Sequence, residues 1–360
     1  MIPPLQHITG MAPYALASLP AASDQDMISL AQNESLRPPS PQAIAAAKNA
    51  LAYGQLYPDP DWSDLRTELA GRHGLKAENI LCGAGSMELI AALAQCYLDD
   101  RNIALASEYS YAFFRTASER VGSRLVAAKE NGFKVSIDSL LATSTAQTRL
   151  VFIANPGNPT GTRIPTSDLI ALRNDLADGT LLIIDEAYGE FADGTDQSAF
   201  NLVDRGDTVV LRTLSKAYGL ASMRVGWGYF PPDVATQLRK ILTPNNVSSV
   251  SQAAATAAVA DHTYMRHTTR LTKEIRLAFS LSLKDLGLEP PASDTNFVLI
   301  PFKSEADATA ADAALRRHGF VARGMGGYGL PNCLRLTISQ ETHMKSVIRV
   351  LASQSNQGLP

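Results

Sequence analysis

The sequence predicts an α/β fold: a mostly parallel sheet between two layers of helices, followed by a smaller α+β unit. Three observations predict it. Continuous apolar runs of strand length recur (Ile103-Ala104-Leu105-Ala106, Leu150-Val151-Phe152-Ile153-Ala154, Leu181-Leu182-Ile183-Ile184, Val209-Val210-Leu211), and such runs suit strands buried on both faces. Helical stretches around 112–120 and 166–175 supply the crossovers that parallel neighbours need. After Pro231-Pro232 the character shifts to a helix-rich stretch and then to shorter alternating strands and helices.

Taken in order, residues 1–40 are proline-rich and lack periodicity, so they read as an arm lying over something rather than a core element. Pro41 opens a helix whose apolar positions include Ile44 and Leu51. Tyr53-Gly54-Gln55-Leu56-Tyr57-Pro58-Asp59-Pro60 is a turn-rich loop, after which Asp61 is expected to cap a helix carrying Leu65 and Leu69. Asn79-Ile80-Leu81-Cys82 reads as a strand, Gly83-Ala84-Gly85-Ser86 as a glycine turn and 87–97 as a helix. Val225-Gly226-Trp227-Gly228-Tyr229 is a further strand. Residues 233–286 read as mostly helical, with a long amphipathic stretch from Thr268. A strand at 296–300, a helix at 306–317, strands near Val321 and at 334–338 and a closing helix complete the chain, and 353–358 should fray. The expected division is an arm (1–40), a large domain (41–250) and a small domain (251–360).

At 360 residues the chain exceeds one small core, and 45% hydrophobic with 19% charged residues is an ordinary globular composition. A formal net charge of −3 argues against a nucleic-acid surface, and the one compact basic run, Arg316-Arg317-His318, reads as a solvated helix end. Cys82, Cys96 and Cys333 lack metal-ligand spacing and read as buried thiols of a reducing compartment. No apolar run approaches the roughly 20 residues of a membrane span. No basic segment precedes an apolar core at the N-terminus, so a cytoplasmic protein is expected, with neither membrane nor nucleic-acid partner.

The chemistry concentrates where ligands bind in open α/β sheets, after the carboxyl ends of strands. Lys216 follows directly on the apolar run ending at Leu211, and a lysine desolvated there favours its neutral, nucleophilic amine. Asp185 ends another apolar run, where an unpaired carboxylate is costly and a protonated ring nitrogen would be a natural partner. Asn155-Pro156-Gly157-Asn158-Pro159-Thr160-Gly161 is a rigid turn that presents Asn158 as a donor. Gly83-Ala84-Gly85-Ser86 opens a helix and can offer backbone N–H groups to an anion. It lacks the third glycine of a dinucleotide-binding turn.

Together, 155–161, Asp185-Glu186-Ala187-Tyr188 and Ser215-Lys216 with Arg224 resemble the fold-type I, class I/II aminotransferases, which use pyridoxal 5'-phosphate. The resemblance runs from the arm to the last helix. It is strongest to the histidinol-phosphate aminotransferase branch, through Asn33-Glu34, Tyr57-Pro58-Asp59 and Gly326-Gly327-Tyr328-Gly329-Leu330-Pro331 before Arg335. It implies a three-layer α/β/α large domain and a set of roles. Lys216 would bond the cofactor and shuttle a proton; Asp185 would pair with the ring nitrogen; Asn158 and Tyr188 would bond the ring oxygen. Ser215, Arg224 and the amides of Gly85, Ser86 and Met87 would hold the phosphate. Tyr111 would stack on the ring, with Tyr109 as the competitor for that place. Tyr57 would reach the cofactor of a second subunit in a homodimer. Arg335 would receive the substrate's acidic group, Arg323 a second anion such as a phosphate, and Tyr14 would line the same pocket.

The implied reaction moves an amino group between histidinol phosphate or an aromatic amino acid and the 2-oxoglutarate/glutamate pair. Alternatives are a decarboxylase of the threonine-phosphate type on the same scaffold and a non-catalytic binding module. Departures from the family's pattern fall at Met87 (an acidic residue is usual), Gly324, Ser339 and Ser35-Leu36, and bear on the substrate rather than the cofactor. The six histidines lie outside every motif and should be surface or structural; no metal is expected.

Overall fold

A computed structural model of the chain describes residues 2–14, 27–192 and 198–355, so Asn356, Gln357 and Gly358 of the expected frayed tail lie outside the described residues. The helix Glu341–Ser355 runs through Ser353 and Gln354, which are therefore helical rather than frayed.

The segment read as a surface arm corrects that reading. Its strand β1 (Ile28–Ser29) pairs in parallel with Phe320–Val321, and Leu30 is buried in the core of the C-terminal unit. The reason is backbone satisfaction: Leu30 N–H donates to Val321 O, and Leu30 O accepts the Thr337 N–H, both at 2.8 Å.

Seven strands form the central sheet: β2 (Ile80–Gly83), β3 (Ile103–Ser107), β4 (Arg124–Ala128), β5 (Thr148–Ala154), β6 (Leu181–Asp185), β7 (Thr208–Thr213) and β8 (Gly226–Tyr229). Their order is β2-β8-β7-β6-β5-β3-β4, and β8 alone runs against the others. The predicted mostly parallel sheet is therefore present. The apolar runs fill its middle: every residue of β3, β6 and β7 is buried. Six strands pointing one way bring the carboxyl ends of β2, β5, β6 and β7 to one edge, which is what gathers the site.

Helices cover both faces. Pro41–Leu51 is capped by Ser40, whose hydroxyl accepts the Ala43 N–H. Ala43 and Ala47 are its buried positions, whereas Ile44 and Leu51, expected to face the core, are exposed. The cap of Ser63–His73 also differs from expectation. Asp59, not Asp61, accepts the Ser63 N–H at 2.7 Å, because Trp62 takes a left-handed conformation (φ 51°) and turns the chain back. Asp61 instead pairs with Arg66 and Arg239. The helix 262–285 begins six residues before Thr268.

The C-terminal unit is α+β: β9 (Phe297–Pro301), β11 (Arg323–Met325) and β12 (Leu330–Thr337) form an antiparallel sheet, with β10 (Phe320–Val321) taking the arm strand. Its core is separate from that of the large sheet. Cys82 and Cys333 are buried and Cys96 half-buried, all free thiols. Among the described residues no helix is long and apolar enough to cross a membrane.

Candidate active site

A cavity of about 480 Å³ opens at the carboxyl edge of the sheet, between it and the C-terminal unit. Lys216, Asp185, Tyr188, Asn158, Ser215, Arg224, Ser86, Met87, Tyr111, Arg335, Arg323 and Tyr14 all line it. Tyr109 packs instead on Phe133, so Tyr111 is the tyrosine that faces the cavity. Tyr57 lies outside it and is 88% exposed.

Period-two alternation decides which carboxylate enters. Asp185 ends β6 facing the cavity, 3% exposed. Glu186 turns away, where its carboxylate takes Arg212 at 2.7 Å. Asp185 accepts the Ala187 N–H at 3.1 Å, and burial pushes its carboxyl up to about 7, although that bond and the nearby Lys216 pull the other way. A buried carboxyl so placed suits a partner that brings a proton and a positive charge.

The Lys216 amine faces the cavity and donates to Gln32 O at 3.2 Å. Burial lowers its pKa to about 8, with the nearby Arg335 and Arg224 adding to the effect and Glu34 opposing it. The desolvation that the sequence led us to expect of this lysine is therefore present.

Across the floor, Gly85 adopts φ 82° and caps the helix Ser86–Tyr97. A Cβ on Gly85 would sit 2.3 Å from the Arg224 guanidinium, so only glycine lets that cation lie against the turn. Arg224 itself is left-handed (φ 52°) and reaches Ser215 Oγ at 3.4 Å. The Ser86 and Met87 N–H groups meet no acceptor among the described residues. Two free amides at a helix start, a hydroxyl and a guanidinium make an anion cradle. This is the observation that a phosphate fits.

On the opposite wall Arg335 is buried. Its Nη1 donates to Asn158 Oδ1 and its Nη2 to Ala31 O (2.9 Å), while Nε has no partner among the described residues. With its oxygen engaged, Asn158 keeps its amide N–H groups for the cavity. Tyr188 accepts the Asn33 Nδ2 at 2.7 Å and stands edge-on to Phe297, its phenol pushed up by burial. Arg323, Tyr14 and Tyr328 close the outer end.

Sequence reasoning missed Thr213, Ser222, Gln32, Asn33, Glu34 and Tyr328 as cavity residues. Asn33, Glu34 and Tyr328 stood in motifs already singled out; the signal was present but no chemistry pointed at them. Gln32 acts through its carbonyl, which sequence cannot reveal.

The family model Aminotransferase class I and II matches residues 25–351. The chain is 41% identical to a histidinol-phosphate aminotransferase of Jannaschia sp. (strain CCS1), over 98% of this chain and 97% of that one. It is 38% identical to one of Ruegeria sp. (strain TM1040), over 96% of each. A crystal structure of histidinol-phosphate aminotransferase from Sinorhizobium meliloti, in complex with pyridoxal-5'-phosphate, superposes with a TM-score of 0.90 at 28% identity, covering 98% of this chain and 97% of that one. A mutant aspartate aminotransferase of Thermus thermophilus shares the fold at 18% identity, with a TM-score of 0.85 and coverage of 98% and 100%.

Proposed function

The chain belongs to the class I and II aminotransferases, and from that premise we propose that it moves an amino group between histidinol phosphate and the 2-oxoglutarate/glutamate pair, using pyridoxal phosphate. One observation carries the reading: a desolvated amine, a buried carboxyl and an anion cradle share one cavity, and two arginines line its far side. Bound pyridoxal phosphate supplies a carbonyl electrophile and an electron-withdrawing ring. Ser215, Arg224 and the amides of Ser86 and Met87 would hold its phosphate, with Gly85 giving Arg224 room. Asp185 would hold the proton of its ring nitrogen. Asn158 and Tyr188 would hold the ring oxygen, and Tyr111 would cover one face.

Within that frame Lys216 would be the residue that holds the cofactor's carbonyl carbon, and its neutral amine would take the proton from the donor's α-carbon as a general base. Its lowered pKa keeps much of the amine neutral near pH 8. The unsatisfied Arg335 Nε and its flanking guanidinium nitrogens favour an incoming carboxylate, that of glutamate or 2-oxoglutarate. Arg323, with Tyr14 and Tyr328, favours the phosphate of the other substrate. A decarboxylating reaction is not favoured, because the similar chains carry aminotransferase names.

A panel of donors tests the substrate. With 2-oxoglutarate, histidinol phosphate should be turned over well ahead of phenylalanine and tyrosine. Arg323→Ala should lower kcat/KM for histidinol phosphate by about 10- to 100-fold, the worth of one charge-assisted bond, and touch glutamate far less. Equal losses on both would remove Arg323 from phosphate recognition.

A homodimer is part of the reading. Tyr57 and the neighbouring Leu51, Tyr53 and Leu56 are all strongly exposed, a contiguous sequence patch that a second copy would cover. Tyr57 would then reach the partner's cofactor phosphate. Tyr57→Phe should weaken cofactor retention about tenfold, one lost hydrogen bond to a charged group, without altering the dimer seen by sedimentation. A fully active monomer would refute the shared site. The three free thiols suit the reducing cytoplasm.

A further inference from the structure

The turn that presents the two free amides is held by a carboxylate, which at first sight belongs nowhere near an anion. Glu88 stands in the first turn of the helix 86–97, and its Oε2 accepts the Ala84 N–H at 2.6 Å. The same oxygen accepts Asn246 Nδ2 at 2.7 Å. Asn246 Nδ2 also reaches Cys82 O at 3.2 Å, and its Oδ1 accepts the Trp62 indole N–H at 3.1 Å. A Cβ on Gly83 would stand 3.2 Å from that Glu88 oxygen, so the carboxylate lies directly against the turn.

The helix dipole tolerates a negative charge there, and the bond resembles the glutamate half of a capping box displaced by one residue. Its effect is to sort the amides of the turn. Ala84 N–H is tied to Glu88, Gly85 N–H to Gly83 O at 2.7 Å, and only those of Ser86 and Met87 are left for the cavity. Without Glu88, Ala84 would lose its acceptor and the turn could reorient. Met87 carries no carboxylate, so Glu88 is the acidic side chain of the helix's first turn, and it points beneath the turn.

We propose that Glu88 and Asn246, with Trp62 behind them, are positioning residues that fix the 83–87 turn in its anion-accepting shape. They act on the cofactor's phosphate and on nothing else in the site. The proposal rests on the reading that the phosphate sits at this turn.

The test compares two ligands on the full-length, cofactor-stripped chain: pyridoxal phosphate and pyridoxal, which has the same ring and aldehyde but no phosphate. Affinity is read by absorbance titration, independent of turnover. Glu88→Ala should weaken pyridoxal phosphate by about 10- to 100-fold, the cost of leaving a part-buried donor unpaired and the turn free to reorient, and leave pyridoxal within about twofold. Glu88→Gln, which keeps an acceptor for Ala84, should recover most of the loss. Asn246→Ala keeps that acceptor and removes its tether together with the bonds to Cys82 and Trp62, so it should give a smaller, still phosphate-selective loss; it stands as the readout should Glu88→Ala not fold. Losses equal for the two ligands, or none for either, overturn the proposal. A wild-type chain that holds both ligands alike overturns the phosphate site and this proposal with it, whereas a wild-type preference that survives Glu88→Ala overturns the proposal alone.

Discussion

Lys216→Ala should lower turnover by about 10⁴-fold or more, since a positioned general base alone contributes roughly 10² to 10⁴ and here the covalent anchor is lost as well. The expectation follows from where the amine sits. It faces the cavity beside Asp185 and donates to the Gln32 carbonyl, and burial with two neighbouring guanidiniums brings its pKa down to about 8. A lysine on a solvated face would be almost wholly protonated near neutrality; this one is half neutral at about pH 8. Among the described residues no other lysine lines the cavity to take over the proton. Removing the side chain leaves a hole at the mouth of β7, so a small added amine should restore part of the proton transfer. Two measurements decide it: single-turnover rates with and without methylamine, and the visible band of the purified protein. A variant that turns over like the wild type would end the assignment of Lys216.

Asp185→Asn should cost about 10²- to 10³-fold in turnover, the usual worth of one preorganised electrostatic contact at a reacting system. In the same variant the cofactor-free chain should become more stable. The sign follows from the pKa. In the folded chain burial raises the Asp185 carboxyl from 3.8 to about 7, so between those values the folded state holds a proton the unfolded state has released. Stability therefore falls as pH rises through that window, and the full cost of the buried charge is present above about pH 7. Asparagine is never charged and can still accept the Ala187 N–H. Thermal melts of cofactor-free protein should show the variant ahead of wild type at pH 8, by on the order of a few kcal/mol, and the gap should shrink at pH 5. A gap independent of pH would mean that the carboxylate is not the strained group. A loss of activity paired with a gain of stability would mark Asp185 as kept for chemistry.

Why this much could be read from sequence, and no more, is visible in particular residues. Asp185 and Lys216 announced themselves because each ends or follows a run of apolar residues, where a charge has no bland explanation. The helix 166–175 matched its expected bounds because its apolar spacing and flanking proline agree. Arg124–Ala128 was missed as a strand because it sits at the sheet edge and is only partly buried, with Arg124 and Ala127 exposed, so no continuous buried run marks it. β8 was read as a strand, but its reversed direction between β2 and β7 is a tertiary fact, set by which strands it pairs with. Asp61 was given the cap that Asp59 holds, because the left-handed Trp62 reverses the local geometry. The arm was the largest miss. Its prolines spoke of surface, while its contribution to the second core comes from backbone groups that pair some 300 residues away.

That pairing has a consequence for how the chain comes off the ribosome. β1 is made well before its partner Val321, and the adjoining Leu30 some 307 residues before its partner Thr337. At roughly 5–20 residues per second the arm waits about 15 to 60 s with its edge unsatisfied while the large sheet assembles. Contacts so distant in sequence also weigh against fast folding, since the loop must close before they reward it. The nascent chain thus carries a bare strand over that interval, and the cavity gains its Asn33 and Gln32 wall only when β12 docks.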